Sequence, residues 1–332
     1  MARRSRRRKK SGGSAVFLLL VLAVILLGCY RGVQTGYAPV DRVILQIHDL
    51  MISSMPEIPS TNETHQTTEP IADPNTMKVY FIDVGQADCL YAEQGGQTLL
   101  VDGGNIEDGP LVAKYLTELG VDHLDYVIVT HAHEDHCGGI DSILYSLPCR
   151  ELIVPNREIE SWVYQSIIDA ANKTGVSTQH AVEGETKALG DAQFTILSCD
   201  DGSPENLNES SIVCKLSYGD IDFMLTGDAE ALNEEEILAD GYPVDCEILK
   251  AGHHGSKTSN TMSWLKAVDP EVVVISVGEN NDYYLPHKSV LDNFNSVGAS
   301  VFRTDSMGTI IVETNGSNYY LRFEETATDA AA

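Results

Sequence analysis

The sequence predicts an α+β domain made of two mixed β-sheets with helices on their outer sides. Three observations lead there. From Met77 onward short apolar runs alternate with helical patterns, and 43% of the 332-residue chain is apolar, too much for a disordered polymer. One pair of runs, Ile212–Ser217 and Asp222–Thr226, is joined only by Tyr218-Gly219-Asp220, which makes a hairpin and excludes a purely parallel, doubly wound sheet.

Taken in order, the chain begins with Arg3, Arg4, Arg6, Arg7, Arg8, Lys9 and Lys10, followed by an uninterrupted apolar run from Ala15 to Leu27. That order fits the basic and hydrophobic regions of an export signal, and residues 1–30 are read as an N-terminal membrane anchor helix or signal. Leu26-Leu27-Gly28-Cys29 also resembles a bacterial lipobox, in which Cys29 would be lipidated. The charge asymmetry places the start inside the cell and everything after Tyr30 outside, so the expected location is the outer face of the cell membrane. Residues 31–76 are read as a juxtamembrane segment followed by a spacer. Val40–Met55 has apolar residues at helical spacing, whereas Ser53–Thr76 is rich in Ser, Thr, Glu, Asn and Pro and has little to bury.

Residues 77–324 carry the folded domain, and 325–332 form a polar tail. Strands are expected at Val79–Val84, Thr98–Val101, Tyr126–Thr130, Leu152–Val154, Gln193–Leu197, in both arms of the hairpin, and at Glu247–Lys250, Val272–Val277, Val301–Arg303, Thr309–Val312 and Tyr319–Phe323. Helices are expected at Pro110–Leu119, Ile140–Leu147, Glu158–Thr174, Ala229–Ala239, Thr261–Val268 and Ser289–Ser296.

Charge narrows the partners. The whole chain has 22 basic and 49 acidic residues, and from Met77 onward 13 basic residues face 43 acidic ones. A surface that negative repels phosphate backbones, so stable nucleic-acid binding is not expected. Six cysteines follow the anchor, an even number in a compartment that permits disulfides, and Cys89, Cys214 and Cys246 lie in or beside strands, where buried free thiols are expected.

The chemistry concentrates in Thr130-His131-Ala132-His133-Glu134-Asp135-His136, directly after an apolar strand and before Cys137-Gly138-Gly139. Strand alternation aims His131 and His133 to one side, and the following turn brings Asp135 and His136 to a second position nearby. Imidazole and carboxylate are zinc ligands, and a site not closed by four protein groups keeps a water for chemistry. Two further strands end in similar phrases. Phe223–Asp228 delivers Asp228 to a sheet rim, and Ile248–Ser256 carries His253-His254 between glycines, where one ring can ligate while the other faces substrate. Asp102, after Leu99-Leu100-Val101, either orients a ligating imidazole or stabilises its own turn.

The order of Phe81–Asp88, Leu100–Gly104, His131–His136, Asn208 and Ser211, Thr226–Asp228 and Gly252–Ser256 resembles the metallo-β-lactamase superfamily. The resemblance covers nearly all of 77–324 and is closest to the branch with the β-lactamase-like domain of the competence protein ComEC and the pneumococcal phosphorylcholine esterase. It implies an αβ/βα four-layer sandwich with two divalent metal ions, zinc or manganese, at the rim of the sheets. His131 and His133 would hold one metal and Asp135 and His136 the other, with Asp228 between them and His253 or His254 completing the second site. Asp102 and Asp83 would stand behind the ligands.

Members hydrolyse esters, lactams and phosphodiesters with metal-bound hydroxide, so the implied activity is a metal-dependent hydrolase. A small or wall-linked phosphoester is the expected substrate. The alternatives are a surface DNA nuclease in DNA uptake and a non-catalytic binding or sensor module. Asp135 and Asp228 would orient the hydroxide, and Ser256, Lys257, Asn281 and Tyr283 would frame the pocket and bind a substrate anion.

Three departures qualify the resemblance. Ala87 replaces a usual glycine, which matters only if that position needs a positive φ. Leu285 stands where relatives carry a histidine, so either His287 takes that role or the leaving-group side of the pocket differs. His180 is the only histidine between the His131–His136 run and Asp228, and it sits in a run that reads as a strand, so the first metal is expected to be more open.

Overall fold

The computed structural model describes residues 65–324 apart from 72, 74, 158 and 200–205. The anchor of residues 1–30 with its Cys29 lipobox, the juxtamembrane stretch, the spacer up to residue 64 and the tail 325–332 lie outside the described residues. Among the described residues no helix is long and apolar enough to cross a membrane.

Fifteen strands are described: β1 (Met77–Phe81), β2 (Leu90–Gln94), β3 (Gln97–Val101), β4 (Leu124–Ile128), β5 (Cys149–Val154), β6 (Ser177–His180), β7 (Thr186–Leu189), β8 (Ala192–Ser198), β9 (Val213–Tyr218), β10 (Ile221–Leu225), β11 (Ile248–Lys250), β12 (Val272–Ile275), β13 (Ser300–Arg303), β14 (Thr309–Thr314) and β15 (Tyr319–Glu324). The helices are α1 (Gly109–Glu118), α2 (Glu134–Cys137), α3 (Ile140–Ser146), α4 (Trp162–Thr174), α5 (Ala231–Asp240), α6 (Met262–Val268), α7 (Lys288–Val297) and α8 (Thr304–Met307).

The strands form an eight-stranded sheet in the order β15-β14-β1-β2-β3-β4-β5-β6 and a seven-stranded sheet in the order β13-β12-β11-β10-β9-β8-β7. Each is antiparallel over one half and parallel over the other. In the first, β3 to β6 run parallel, and in the second, β10 to β13 do.

Strand alternation assigns the layers, because successive side chains point to opposite faces. Val79, Phe81, Leu99 and Ile128 of the first sheet meet Phe194, Leu216, Phe223 and Val272 of the second in one inter-sheet core. Tyr80, Tyr91, Leu100 and Val127 face the other way, onto Val112, Leu116, Ile143 and Ile167 of α1, α3 and α4. Met224, Leu249 and Val273 likewise face Ile237, Leu265 and Phe294 of α5, α6 and α7. The result is helix, sheet, sheet, helix. Fully burying a side chain such as Phe223 contributes about 1.5–3 kcal/mol, so the layers are held mainly by these faces.

Local signals explain the boundaries. The helix expected from residue 158 begins at Trp162, because the Ser161 side chain accepts from the Tyr164 N–H, and it stops where Gly175 takes φ +78°. β2 and β7 were not expected from the sequence. Ala87 is not among the described residues with positive φ and is fully buried, so the glycine of relatives is not required there. His65 and Thr67, inside the stretch read as spacer, are tied to the domain. The Thr67 N–H donates to the Tyr319 carbonyl at 2.8 Å, and His65 Nδ1 lies 2.9 Å from Glu271.

Candidate metal centre

Parallel strands deliver their following loops to one edge of each sheet, and the two edges meet. Asp102 follows β3, His131–His136 follow β4, Asp228 follows β10, His253 and His254 follow β11, and Ser276 follows β12. Gly227 permits the contact. It has φ +50°, and a Cβ there would lie 2.9 Å from the Thr130 Cβ, so only glycine lets the β10 exit come this close to the β4 exit. The residues after these two, Asp228 and His131, thereby come within 4.0 Å, Nε2 to Oδ2.

Four groups capable of holding a cation result among the described residues: His131 with His133 and Asp228, Asp135 with His136 and His254, and two fully buried ones, Asp88 with Asp228 and His254 and Asp88 with Asp102 and His136. Asp228 spans the first two. Its Oδ1 lies 3.1 Å from His136 Nε2 and 3.7 Å from His254 Nε2, and its Oδ2 lies 3.5 Å from His253 Nε2 and faces His131. His131 Nε2 and His133 Nδ1 are 3.0 Å apart, and His254 Nε2 is 3.2 Å from Asp135. Both rings of the His253-His254 pair are therefore brought to Asp228, from opposite oxygens. The pair takes positive φ at both residues, a strained conformation for side chains of this size.

Each deeply buried imidazole is held from behind by its other nitrogen. Asp102 Oδ2 sits 2.8 Å from His136 Nδ1, while the Thr130 N–H and hydroxyl donate to the same carboxylate. His254 Nδ1 lies 2.9 Å from the Ser276 carbonyl, and His131 Nδ1 faces the hydroxyls of Thr130 and Ser211. This is the outer support that metal-binding histidines require. The front atoms are unsatisfied, since buried His136 Nε2 and Asp228 Oδ1 have no hydrogen-bond partner although they are 3.1 Å apart. A buried nitrogen and oxygen facing one point without bonding each other fit a shared cation. Among the described residues, His133, Asp135 and His253 form the solvent side, at intermediate exposure, over a buried floor.

The electrostatics agree. Burial alone would lower His254, yet Asp228 and Asp88 push it up to about 10. His136 is likewise held well above the usual imidazole range, against burial, by Asp228 and Asp102. Burial alone would raise Asp135, but His254 and His136 bring it down to about 2. His131 goes the other way, driven well down by burial and by the neighbouring His136. The centre is thus a strongly negative, largely dehydrated point, suited to positive charge.

The remaining expected site residues have the following surroundings. Asp83 accepts the Gly85 N–H at 3.1 Å and caps its own turn, and it is Asp88, in the same segment, that lies against the imidazoles. Ser256 is buried and its oxygen accepts from the Thr258 N–H, which holds its turn. Asn281 spends its amide on Gly278, Leu285 and the Leu285 N–H, stapling its own loop. Lys257 and Tyr283 are exposed. His287 is tied to the histidine loop, its N–H donating to the Gly255 carbonyl and its Nδ1 accepting from the Lys257 N–H. His180 Nδ1 lies 2.8 Å from the Pro155 carbonyl, and His180 belongs to none of the cation-capable groups. Cys89, Cys137, Cys149, Cys214 and Cys246 are free thiols. A cleft of about 450 Å³ lined by Lys78, Tyr91, Glu93 and His123 contains none of those groups.

This fold and this donor set define a metal-dependent hydrolase class. The chain belongs to the metallo-beta-lactamase superfamily, whose family model matches residues 82–279. Among curated proteins it is 30% identical over 251 residues to ComE operon protein 3 of Bacillus subtilis, covering 70% of this chain and 32% of that one. It is 31% identical over 242 residues to Recombination protein 2 of Haemophilus influenzae, covering 71% and 29%. The chain therefore matches about a third of the length of these relatives. Among solved structures, the metallo-beta-lactamase fold protein YhfI from Bacillus subtilis superposes with a TM-score of 0.52 at 14% identity, covering 72% of this chain and all of that one, a likeness of fold.

Proposed function

We propose that the chain is an exported, membrane-tethered hydrolase that opens phosphodiesters with two divalent cations. One observation carries this reading: the two oxygens of Asp228 face different imidazole groups, His136 and His254 on one side and His131 and His253 on the other. His131 and His133 would hold the first cation, with His253 in reach as a third nitrogen, and Asp135, His136 and His254 the second. A nitrogen-rich set of this kind suits zinc, with manganese the alternative. When bound, such a pair lowers the pKa of a shared water and polarises the substrate oxygen.

The protein's own groups do the rest. Asp135, one-third exposed, and Asp228 orient the water, while the buried floor keeps competing solvent from the centre. The Nδ1 of His287 accepts from the Lys257 N–H, which leaves the Nε2–H as a hydrogen-bond donor for a leaving oxygen. Lys257 and Tyr283, both exposed, are the available contacts for a substrate anion and its substituent.

The seven basic residues before Ala15 support the tether, and the 43 acidic residues from Met77 onward support a small or wall-linked phosphoester over a long polyanion. The recombination named in the Haemophilus relative favours DNA as a second reading. Hydrolysis of bis(p-nitrophenyl) phosphate by the zinc-loaded chain tests the reaction, and single-stranded DNA compared with a choline phosphodiester separates the substrates. Lack of turnover on all three by protein with both cations bound would favour a non-catalytic binding module.

A further inference from the structure

Beneath the groups formed by His131, His133 and Asp228 and by Asp135, His136 and His254 lies a buried ion pair whose carboxylate, Asp88, also comes together with Asp228 and His254 and with Asp102 and His136. Lys250, the last residue of β11, places Nζ 2.7 Å from Asp88 Oδ2, and both side chains are at most 8% exposed. Asp88 lies on the β1–β2 connection of the eight-stranded sheet and Lys250 in the seven-stranded sheet, so the pair joins the two sheets. It borders a void of about 10 Å³ also lined by Asp102, Thr130 and Ser276.

Asp88 touches the second group three ways. Its N–H donates to the Asp135 carbonyl at 2.9 Å, its Oδ1 lies 3.3 Å from His254 Nδ1, and its Oδ2 lies 3.9 Å from His136 Nδ1. It also anchors the turn after β3, its carbonyl accepting from the Gly104 N–H. One carboxylate therefore stands behind both imidazoles of the second group and fixes the backbone of its aspartate. A fourth carboxylate near Asp102, Asp135 and Asp228 would be expelled or neutralised without a counter-charge, and Lys250 is that charge. Lys250 occupies Oδ2, while Oδ1, buried and without a hydrogen-bond partner, faces the Nδ1 side of His254 and not its Nε2.

We propose that the Asp88–Lys250 pair is the positioning device of the second cation site, presenting a fixed negative charge to the Nδ1 side of His254 and His136 so that both Nε2 atoms face the cation. The inference rests on the two-cation reading above. It assigns Lys250 a role across the sheet interface that neither substrate contact nor ligation explains.

The test is zinc affinity of the full chain, measured stepwise against a competing chelator, for the unaltered protein, Lys250→Met, Asp88→Asn and the double variant. Lys250→Met strands a buried carboxylate and is expected to lower the melting temperature as well as affinity. The double variant removes both charges together, so its melting temperature in EDTA is expected to return close to that of the unaltered chain. One of its two zinc steps should nevertheless stay at least about 10-fold poorer, within the 10–100-fold typical of lost outer partners, with the other step unchanged. A double variant that folds and binds both zinc ions as tightly as the unaltered chain overturns the inference, reducing the pair to a packing feature. A double variant that weakens both steps equally also overturns it. An unaltered chain that takes up fewer than two zinc ions overturns the two-cation reading itself, which separates the two failures.

Discussion

Gly227→Ala puts the geometry of the centre under the sharpest strain. The added Cβ would sit 2.9 Å from the Thr130 Cβ, where carbon atoms rest at about 3.5–4.0 Å, so the two strand exits must part by at least about 0.6 Å. The backbone at φ +50° adds about 1–2 kcal/mol for a side chain in the left-handed region. Overpacking in a rigid core adds about 1–3 kcal/mol, for a total of roughly 2–5 kcal/mol lost in the metal-free protein. The same displacement acts on ligation, because Asp228 and His131 are the residues next to the clashing pair. Urea unfolding in EDTA reads the stability, and chelator competition reads the zinc affinity, which should fall at least about 10-fold by analogy with lost outer support. A variant within about 0.5 kcal/mol of the unaltered chain, the usual scatter of harmless substitutions, and with unchanged zinc affinity would refute the close approach.

Other perturbations are more local. Asp102→Asn keeps the shape but removes the charge behind His136, and zinc affinity should fall about 10–100-fold, measured by chelator competition; unchanged affinity would mean that Asp102 only holds its turn. His65 is raised above 6.5 chiefly by its hydrogen bond to Glu271, so its contribution is present below about pH 6.5 and is lost as pH rises through the higher folded value. His65→Ala should therefore cost more stability at about pH 5.5 than at about pH 9, and the reverse order in thermal melts would contradict the contact. Cys137 is buried and burial pushes its thiol up to about 12, so iodoacetamide mapped by mass spectrometry should label it only after unfolding, and rapid native labelling would contradict its burial.

The site was legible because its donors sit at the ends of apolar strands, where alternation and a following turn fix direction. Val127 and Ile128 lead to His131, and Met224 and Leu225 lead to Asp228. β7 is not legible because Thr186–Leu189 is a short edge strand with one fully buried residue and so carries no apolar run. β2 was hidden by Glu93 and Gln94 at the end of an otherwise apolar segment.

Loop residues are less legible for a different reason. The partners of Ser256 and Asn281 lie in the folded loops themselves, and residue type alone does not say whether a polar atom is already satisfied. Lys250 carries a sequence signal of its own: a lysine ending an apolar strand between Leu249 and Ala251 needs a buried acid.

The central claim is a count of cations. Elemental analysis of the full chain, purified without chelator and then dialysed against zinc, is expected to give two zinc ions per chain, and fewer for Asp228→Ala, which removes the carboxylate shared by both groups. Protein that holds no cation after such loading, or an Asp228→Ala variant that still holds two, would contradict it.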